Sequence, residues 1–257
     1  MLNRKITLSG ITRYIKEWPL MMLNTLQFKS YYKLWHSYIT RSTPEGNFYE
    51  LRNGYKLYLS SSDEDPVTVM VVFGKRDYGK IKKGDVVVDI GANIGSYSIY
   101  AAKKGAIKVY AFEPNKEAFK TLKKNVEENG LQNIVKAINA AVTDKDGEWV
   151  SITTSSSPRN EIIRESKTEG TDTVSSISLQ KIIESNHIDQ IDILKVDCEG
   201  CEHVIFKSVN PEYFNRIKEI RMEVHGSDSS CGNLLDELTK HYKVIKQNDT
   251  IYWLEKN

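Results

Sequence analysis

Val86-Val87-Val88-Asp89-Ile90-Gly91-Ala92-Asn93-Ile94-Gly95-Ser96-Tyr97-Ser98 is the stretch on which the fold of this chain turns. From Val86 to Ile90 every residue but Asp89 is β-branched, with no polar alternation. That is the composition of a parallel strand covered on both faces. Gly91 and Gly95 bracket a turn, where glycine permits positive φ and lets a ligand approach the bare backbone. From Asn93 the spacing becomes helical, through Ile94, Tyr97, Ser98 and Ala101-Ala102. Asp89 lies next to the carboxyl end of its strand, where the ligand crevice of an open α/β sheet opens.

A second strand, Lys108 to Phe112, ends in Glu113-Pro114-Asn115. Glu113 stands roughly 20 residues beyond the glycine turn, the offset at which an acid bonds the ribose hydroxyls of a nucleoside. The turn is Gly-Ala-Asn-Ile-Gly, without the G-x-G-x-x-G of a dinucleotide site, which disfavours a pyrophosphate. S-adenosylmethionine (SAM) has a ribose and an adenine, no phosphate, a sulfonium and an amino-acid end. Asp89 suits the cationic part, directly or through water. The helix N-terminus suits the carboxylate. The bland alternative is a buried, satisfied Asp in an ordinary βαβ turn; Glu113 at its offset tips the reading to a cofactor site.

The chain's 257 residues allow one large α/β domain or a domain with an appendage. Hydrophobic residues at 40% and charged residues at 27% fit a soluble globular protein. A net charge of +2 gives no global footprint for nucleic acid. No apolar run has the length of a membrane span, and the N-terminus lacks the apolar core and cleavage site of a signal peptide. Three cysteines, few and odd in number, fit a reducing cytoplasm better than a disulfide framework.

The charge is uneven. Residues 1–44 carry seven basic side chains against Glu17 alone, so this segment is +6 and the remainder −4. Seven aromatics crowd it, among them Trp18, Tyr31, Trp35 and Tyr38. It is read as a helical segment preceding a domain over 45–257, with Pro19 separating two helices. Its aromatics either pack on the core or across a dimer, or form a surface for a membrane face or partner; core packing is the commoner use of such stripes.

Further on, Asn47 to Ser60 reads as a hairpin around Asn53-Gly54, and Asp65-Pro66 opens a short helix. Lys116 to Asn129 is an amphipathic helix ended by Gly130. A third strand spans Ile134 to Val142, within which Asn139-Ala140 could read an adenine edge; a strand-end Asn bonding a nearby turn is the equal alternative. A polar stretch from Thr154 to about Thr173 has the length of a lid or binding loop. A fourth strand, Ile191 to Val196, runs into Asp197-Cys198-Glu199-Gly200-Cys201-Glu202. A fifth, Glu219 to Val224, runs into His225. A terminal hairpin turns at Asn248-Asp249. Alternating strands and helices make this α/β, a mostly parallel sheet with helices on both faces and an antiparallel C-terminal edge.

Three blocks together, Val87 to Gly95, Phe112 to Asn115 and Leu194-Lys195-Val196-Asp197-Cys198-Glu199-Gly200-Cys201-Glu202, resemble the FkbM family of SAM-dependent methyltransferases. The resemblance covers about Asp63 to Glu223. It implies the Rossmann-like class I methyltransferase fold with seven strands. It implies SAM bound by Asp89, Gly91, Asn93, Gly95 and Glu113. Beside that set, and apart from the resemblance, Ala92, Pro114, Asn139, Ala140 and Asp197 are expected to line the cofactor from their places at the strand ends. The implied acceptor is a hydroxyl of a sugar, glycan or small natural product. Small apolar residues often stand in this family where Cys198 and Cys201 do, so these cysteines are read as packing choices.

Methyl transfer is an in-line displacement that depends on alignment, and an alcohol also benefits from a base. His225 and Glu199 are the candidate bases, and Asp197 is placed at the sulfonium end. A satisfied turn histidine is the rival reading of His225, and a helix N-terminal acid that of Glu202. The acids raise the question of Mg²⁺, but no pair has diagnostic spacing and no metal is assigned. A nucleic-acid amino-methyltransferase would want Asn/Asp-Pro-Pro-aromatic after the fourth strand; Asn210-Pro211-Glu212-Tyr213 lacks the second proline and comes a helix later. A catalytically inactive SAM-fold binding module is the third class, against which intact Asp89, Gly95, Glu113 and Asp197 argue.

Overall fold

The computed structural model describes residues 8–153, 162–163 and 171–257. Helices α1 (Leu8–Thr25) and α2 (Tyr31–Thr40) lead into the hairpin β1 (Phe48–Glu50) and β2 (Lys56–Tyr58). Helix α3 (Asp65–Val69), with Pro66 in its first turn, continues as a π-helical turn over Met70–Lys75. Alternation then begins with β3 (Val86–Ile90), α4 (Ser96–Lys104), β4 (Lys108–Phe112), α5 (Lys116–Glu128) and β5 (Val135–Ile138). An excursion follows through β6 (Ala141–Thr143), β7 (Trp149–Thr153), β8 (Ile162–Ile163) and β9 (Thr171–Ser178). The chain returns through α6 (Leu179–Ser185), β10 (Ile191–Val196), α7 (Cys201–Ser208), β11 (Ile217–Glu223) and α8 (Asp228–Leu238). It ends in the hairpin β12 (Tyr242–Asn248) and β13 (Ile251–Lys256).

Seven strands form one sheet in the order β12-β13-β11-β10-β3-β4-β5. All neighbours from β11 to β5 are parallel, and β13 joins β11 antiparallel. Alternation along the strands splits the core in two. Val87 and Val109 face α1, α2, α4 and α5, whereas Val88, Ile90, Tyr110 and Phe112 face α6, α7 and α8. The order of elements reverses at β3 and β10, so the carboxyl ends of these two strands open the crevice. Asn115 fixes the start of α5 by accepting from the N–H groups of Glu117 and Ala118, both at 3.0 Å.

Two expectations are corrected. Pro19 does not separate helices; it lies inside α1, on an exposed side, and the break falls after Thr25. There Phe28 turns into the core and bridges to Leu51. The strand expected over 134–142 ends at Ile138, and Ala141–Thr143 pairs instead with β9 in a separate four-stranded sheet. The cause is Asn139, whose amide donates to the carbonyls of Glu113 (2.8 Å) and Pro114 (3.0 Å) and turns the chain off the main sheet. Most of the polar stretch from Thr154 lies outside the described residues.

Candidate functional site

A cleft of about 680 Å³ opens at the carboxyl ends of β3, β4 and β10. Gly91, Ala92, Asn93, Glu113, Pro114 and Ala140 line one end, and Asp197, Glu199 and Glu223 the other. Tyr38, Arg41, Thr68 and Lys75, from α2 to the π-helical turn, form the facing wall.

Glu113 is the built feature of the first end. It is 7% exposed, and its two oxygens accept from the N–H groups of Asn93 (2.7 Å) and Asn115 (2.8 Å). Burial pushes its carboxyl up to about 7, against the pull of those two N–H groups and of Lys195. A carboxylate held this way keeps lone pairs for two vicinal hydroxyls. The glycine turn is shaped by packing as much as by a ligand. Gly91 has φ +72°, and a Cβ there would run into the Asp197 carbonyl. Gly95 stands behind the wall, where a Cβ would meet Leu122. The turn's N–H groups face protein acceptors: those of Gly91 and Ala92 donate to Phe112, that of Asn93 to Glu113 and that of Gly95 to Ala92. The expected carboxylate cradle is therefore largely occupied by the protein itself.

Asp89 also departs from expectation. It is fully buried and does not line the cleft. Its Oδ2 accepts from Ser98 Oγ (2.7 Å), and its Oδ1 lies 3.1 Å from Lys195 Nζ. Lys195 donates to the Gly91 carbonyl at 2.7 Å and stands 3.8 Å from Asp197. Burial works against its charge, yet Asp89 and Asp197 hold it above the usual lysine value. Asp89 thus reaches the cleft only through Lys195. Asn139 likewise lies off the cleft, in the turn-bonding role.

At the second end, Asp197 accepts from the Tyr78 hydroxyl at 2.7 Å. Burial, then the charges of Asp197 and Glu223, push the Tyr78 phenol up, so it remains a donor. Arg221 holds the loop that carries Tyr78, donating to the carbonyls of Tyr78 (2.7 Å) and Lys80 (2.8 Å). Glu202 is more than a helix N-terminal acid. It is fully buried and accepts from the N–H groups of His225 (2.6 Å) and Gly200 (2.9 Å), tying α7 to the end of β11. His225 Nδ1 lies 3.2 Å from Glu202, and its Nε2 lies 3.6 Å from Glu199 and 3.9 Å from Glu223. Burial pulls its basicity down, but the bond to Glu202 and the charges of Glu199, Glu202 and Glu223 outweigh this and push it up to about 9. His225 is therefore an imidazolium at neutral pH, with no free ring nitrogen to accept a proton, which counts against the expected base role. Asp197, Glu223 and His225 bring polar atoms within 4.8 Å of one another, and the imidazolium supplies a positive charge in that cluster.

Glu199 sits in the left-handed region (φ +53°) in the loop ahead of α7. Cys198 and Cys201, on either side, are joined by a disulfide, not placed there for packing alone, and Cys231 is the free cysteine. Cysteine count carried no sign of this, because a bond across three residues needs only one pair. Lys195 is legible in the sequence as a lysine between Ile193-Leu194 and Val196 in the carboxyl half of its strand; Tyr78 and Arg221 carry no such mark.

Residues 89–245 match the methyltransferase FkbM domain. The chain is 26% identical over 205 residues to the 31-O-demethyl-FK506 methyltransferase FkbM of Streptomyces tacrolimicus, covering 67% of this chain and 78% of that one. It is 28% identical over 169 residues to the hexuronic acid methyltransferase AglP of Haloferax volcanii, covering 65% and 68%. The crystal structure of methyltransferase FkbM from Methylobacillus flagellatus shares the fold, with a TM-score of 0.51 over 95% of this chain and 60% of that chain at 12% identity.

Proposed function

The chain belongs to the FkbM family of SAM-dependent methyltransferases, and from that premise we propose that it methylates a hydroxyl of a sugar, glycan or small natural product. One observation carries this reading: a single cleft has a buried carboxylate suited to ribose hydroxyls, Glu113, at one end and three carboxylates, Asp197, Glu199 and Glu223, at the other. A hydroxyl is the acceptor that gains most from a carboxylate close by, because its proton must leave as the new bond forms. The relatives' named substrates, a demethyl-FK506 oxygen and a hexuronic acid, support the same class.

Glu113 would hold the ribose hydroxyls, with Gly91, Ala92 and Asn93 as the wall beside them. Bound there, SAM supplies an electrophilic methyl group on a sulfonium. Asp197 carries the negative charge that faces this end, its orientation fixed by Tyr78 and Lys195. Glu199 takes the hydroxyl proton. His225, a cation at neutral pH, positions Glu199 and Glu223 and is not itself the proton acceptor. The charge balance of the domain, −4 outside residues 1–44, favours a small acceptor over nucleic acid. Among the described residues no helix is long and apolar enough to cross a membrane. A cytoplasmic setting forms part of the proposal on the strength of the cysteine count of three, and the Cys198–Cys201 disulfide weighs against it.

The test is product mass. The protein is incubated with methyl-labelled SAM and separate panels of uronic acids, neutral sugars, macrolides and RNA. Label on a carbohydrate or macrolide oxygen supports the reading; label on RNA alone overturns it.

A further inference from the structure

Over its described side chains, from Glu17 onward, helix α1 turns apolar groups to water. Met21, Asn24 and Thr25 are buried, while Trp18, Leu20, Leu23 and Leu26 are exposed, Leu23 by 66%. On α2, Tyr32 and Ile39 point outward as well, Ile39 by 70%. A surface helix ordinarily sends its polar face outward. Exposed apolar groups gathered on adjacent helices mark a contact surface.

A knot of positive charge borders that surface. Lys103 donates to Gln27 Oε1 at 2.7 Å, just past the end of α1. Asn24 fastens the same helix end to the carbonyl of Gly74 at 2.7 Å, two residues before Arg76. Burial chiefly, and then the nearness of Lys104 and Arg76, lower Lys103 to about 8. None of them forms an ion pair among the described residues. Arg52 adds a further cation, donating to the Leu26 carbonyl at 2.7 Å. Ile107, close behind in sequence, is also exposed.

We propose that the outer face of α1 and α2, with Arg76, Lys103 and Lys104, docks this protein on an anionic lipid bilayer. The leucines enter the headgroup boundary and the cations meet lipid phosphates, the arrangement of helices that lie on a membrane. Charge selects this occupant. Lys29 and Arg41 of the preceding segment are paired with Glu50 and Glu64, so the cations left beside the leucines, with no ion pair among the described residues, are Arg52, Arg76, Lys103 and Lys104. A symmetric pairing of two copies would set identical cation clusters, unpaired among the described residues, near one another. Docking also bears on the cleft, because α2 carries Tyr38 into its wall. The proposal stands apart from the identity of the acceptor.

Flotation of the full chain tests it, with vesicles of phosphatidylcholine alone and of phosphatidylcholine and phosphatidylglycerol in equal parts. The protein should float with the anionic vesicles and stay behind with the neutral ones. Leu23→Asp with Leu26→Asp removes apolar contact, and Lys103→Gln with Lys104→Glu removes charge. Each pair should lower the bound fraction about tenfold, with circular dichroism melts showing that both remain folded. Failure of the wild type to float with anionic vesicles overturns the proposal, as does undiminished binding by both pairs of variants. A dimer in light scattering that Leu23→Asp dissolves, without vesicle binding, assigns the face to a second copy and also overturns it.

Discussion

The Lys195 ammonium lies 3.1 Å from the Asp89 carboxylate, with both side chains out of water, and bonds the Gly91 carbonyl at 2.7 Å. One lysine from β10 therefore locks β3 and the glycine turn into their relative positions. Its removal strands a buried carboxylate. Lys195→Met should destabilise the fold by about 3–5 kcal/mol, read as a lower urea midpoint. Adding Asp89→Asn should recover part of the loss, because the uncompensated charge goes with it while Ser98 keeps an acceptor. A loss below about 1 kcal/mol for Lys195→Met would mean the pair is effectively solvated.

Gly91 and Gly130 both have positive φ, +72° and +65°, but only Gly91 faces a backbone carbonyl where its Cβ would stand. Gly130→Ala should cost only the left-handed strain, about 1–2 kcal/mol. Gly91→Ala adds a collision with Asp197, which cannot move without dragging the end of β10, and should exceed about 4 kcal/mol. Equal thermal shifts for the two variants would show that the turn yields.

Glu113 should make cofactor affinity pH-dependent. Ribose hydroxyls donate to a carboxylate, and this carboxyl is held up to about 7 chiefly by burial. Below that value the proton must leave before the hydroxyls bind well, so calorimetric affinity for SAM should fall as pH drops, by up to about tenfold per unit. Glu113→Gln keeps the shape and loses the charge. It should weaken binding by about 1.5–3 kcal/mol and flatten the pH dependence. A wild-type affinity that is level from about pH 6 to pH 8 would remove Glu113 from the ribose site.

How far the sequence reaches is visible in these same residues. The β-branched run at 86–90, the glycines at 91 and 95 and Glu113 are local signals, and β3, β4 and the cleft lie where they point. Seven strands followed from alternation and from the family resemblance together. What stayed hidden depends on contacts distant in sequence. Asp89 read as a ligand because Lys195, 106 positions away, was not seen to neutralise it. Pro19 read as a break because nothing local says that it falls on the exposed side of its helix. His225 read as a candidate base because Glu202, 23 residues earlier, is brought against it only when α7 packs beside β11.

The charge on His225 leads to the last prediction. Its folded value of about 9 lies above its ordinary 6.5. Its contribution to stability is thus fully present below about 6.5 and is lost as pH rises through 9, a span worth on the order of 3 kcal/mol. Thermal melts from about pH 6 to pH 10 should show the wild type losing this increment at the alkaline end, and His225→Gln lacking it throughout. Catalysis separates the same residue from Glu199. If Glu199 takes the proton, Glu199→Gln should lower kcat by about 10²–10⁴-fold with KM little changed. His225→Asn, which leaves the carboxylate in place, should cost no more than about tenfold, and the wild-type rate should show no rising limb near pH 9. A rate that climbs through pH 9 and vanishes in His225→Asn, with Glu199→Gln active, would return the base role to the histidine and make the surrounding carboxylates the reason its proton is so hard to remove.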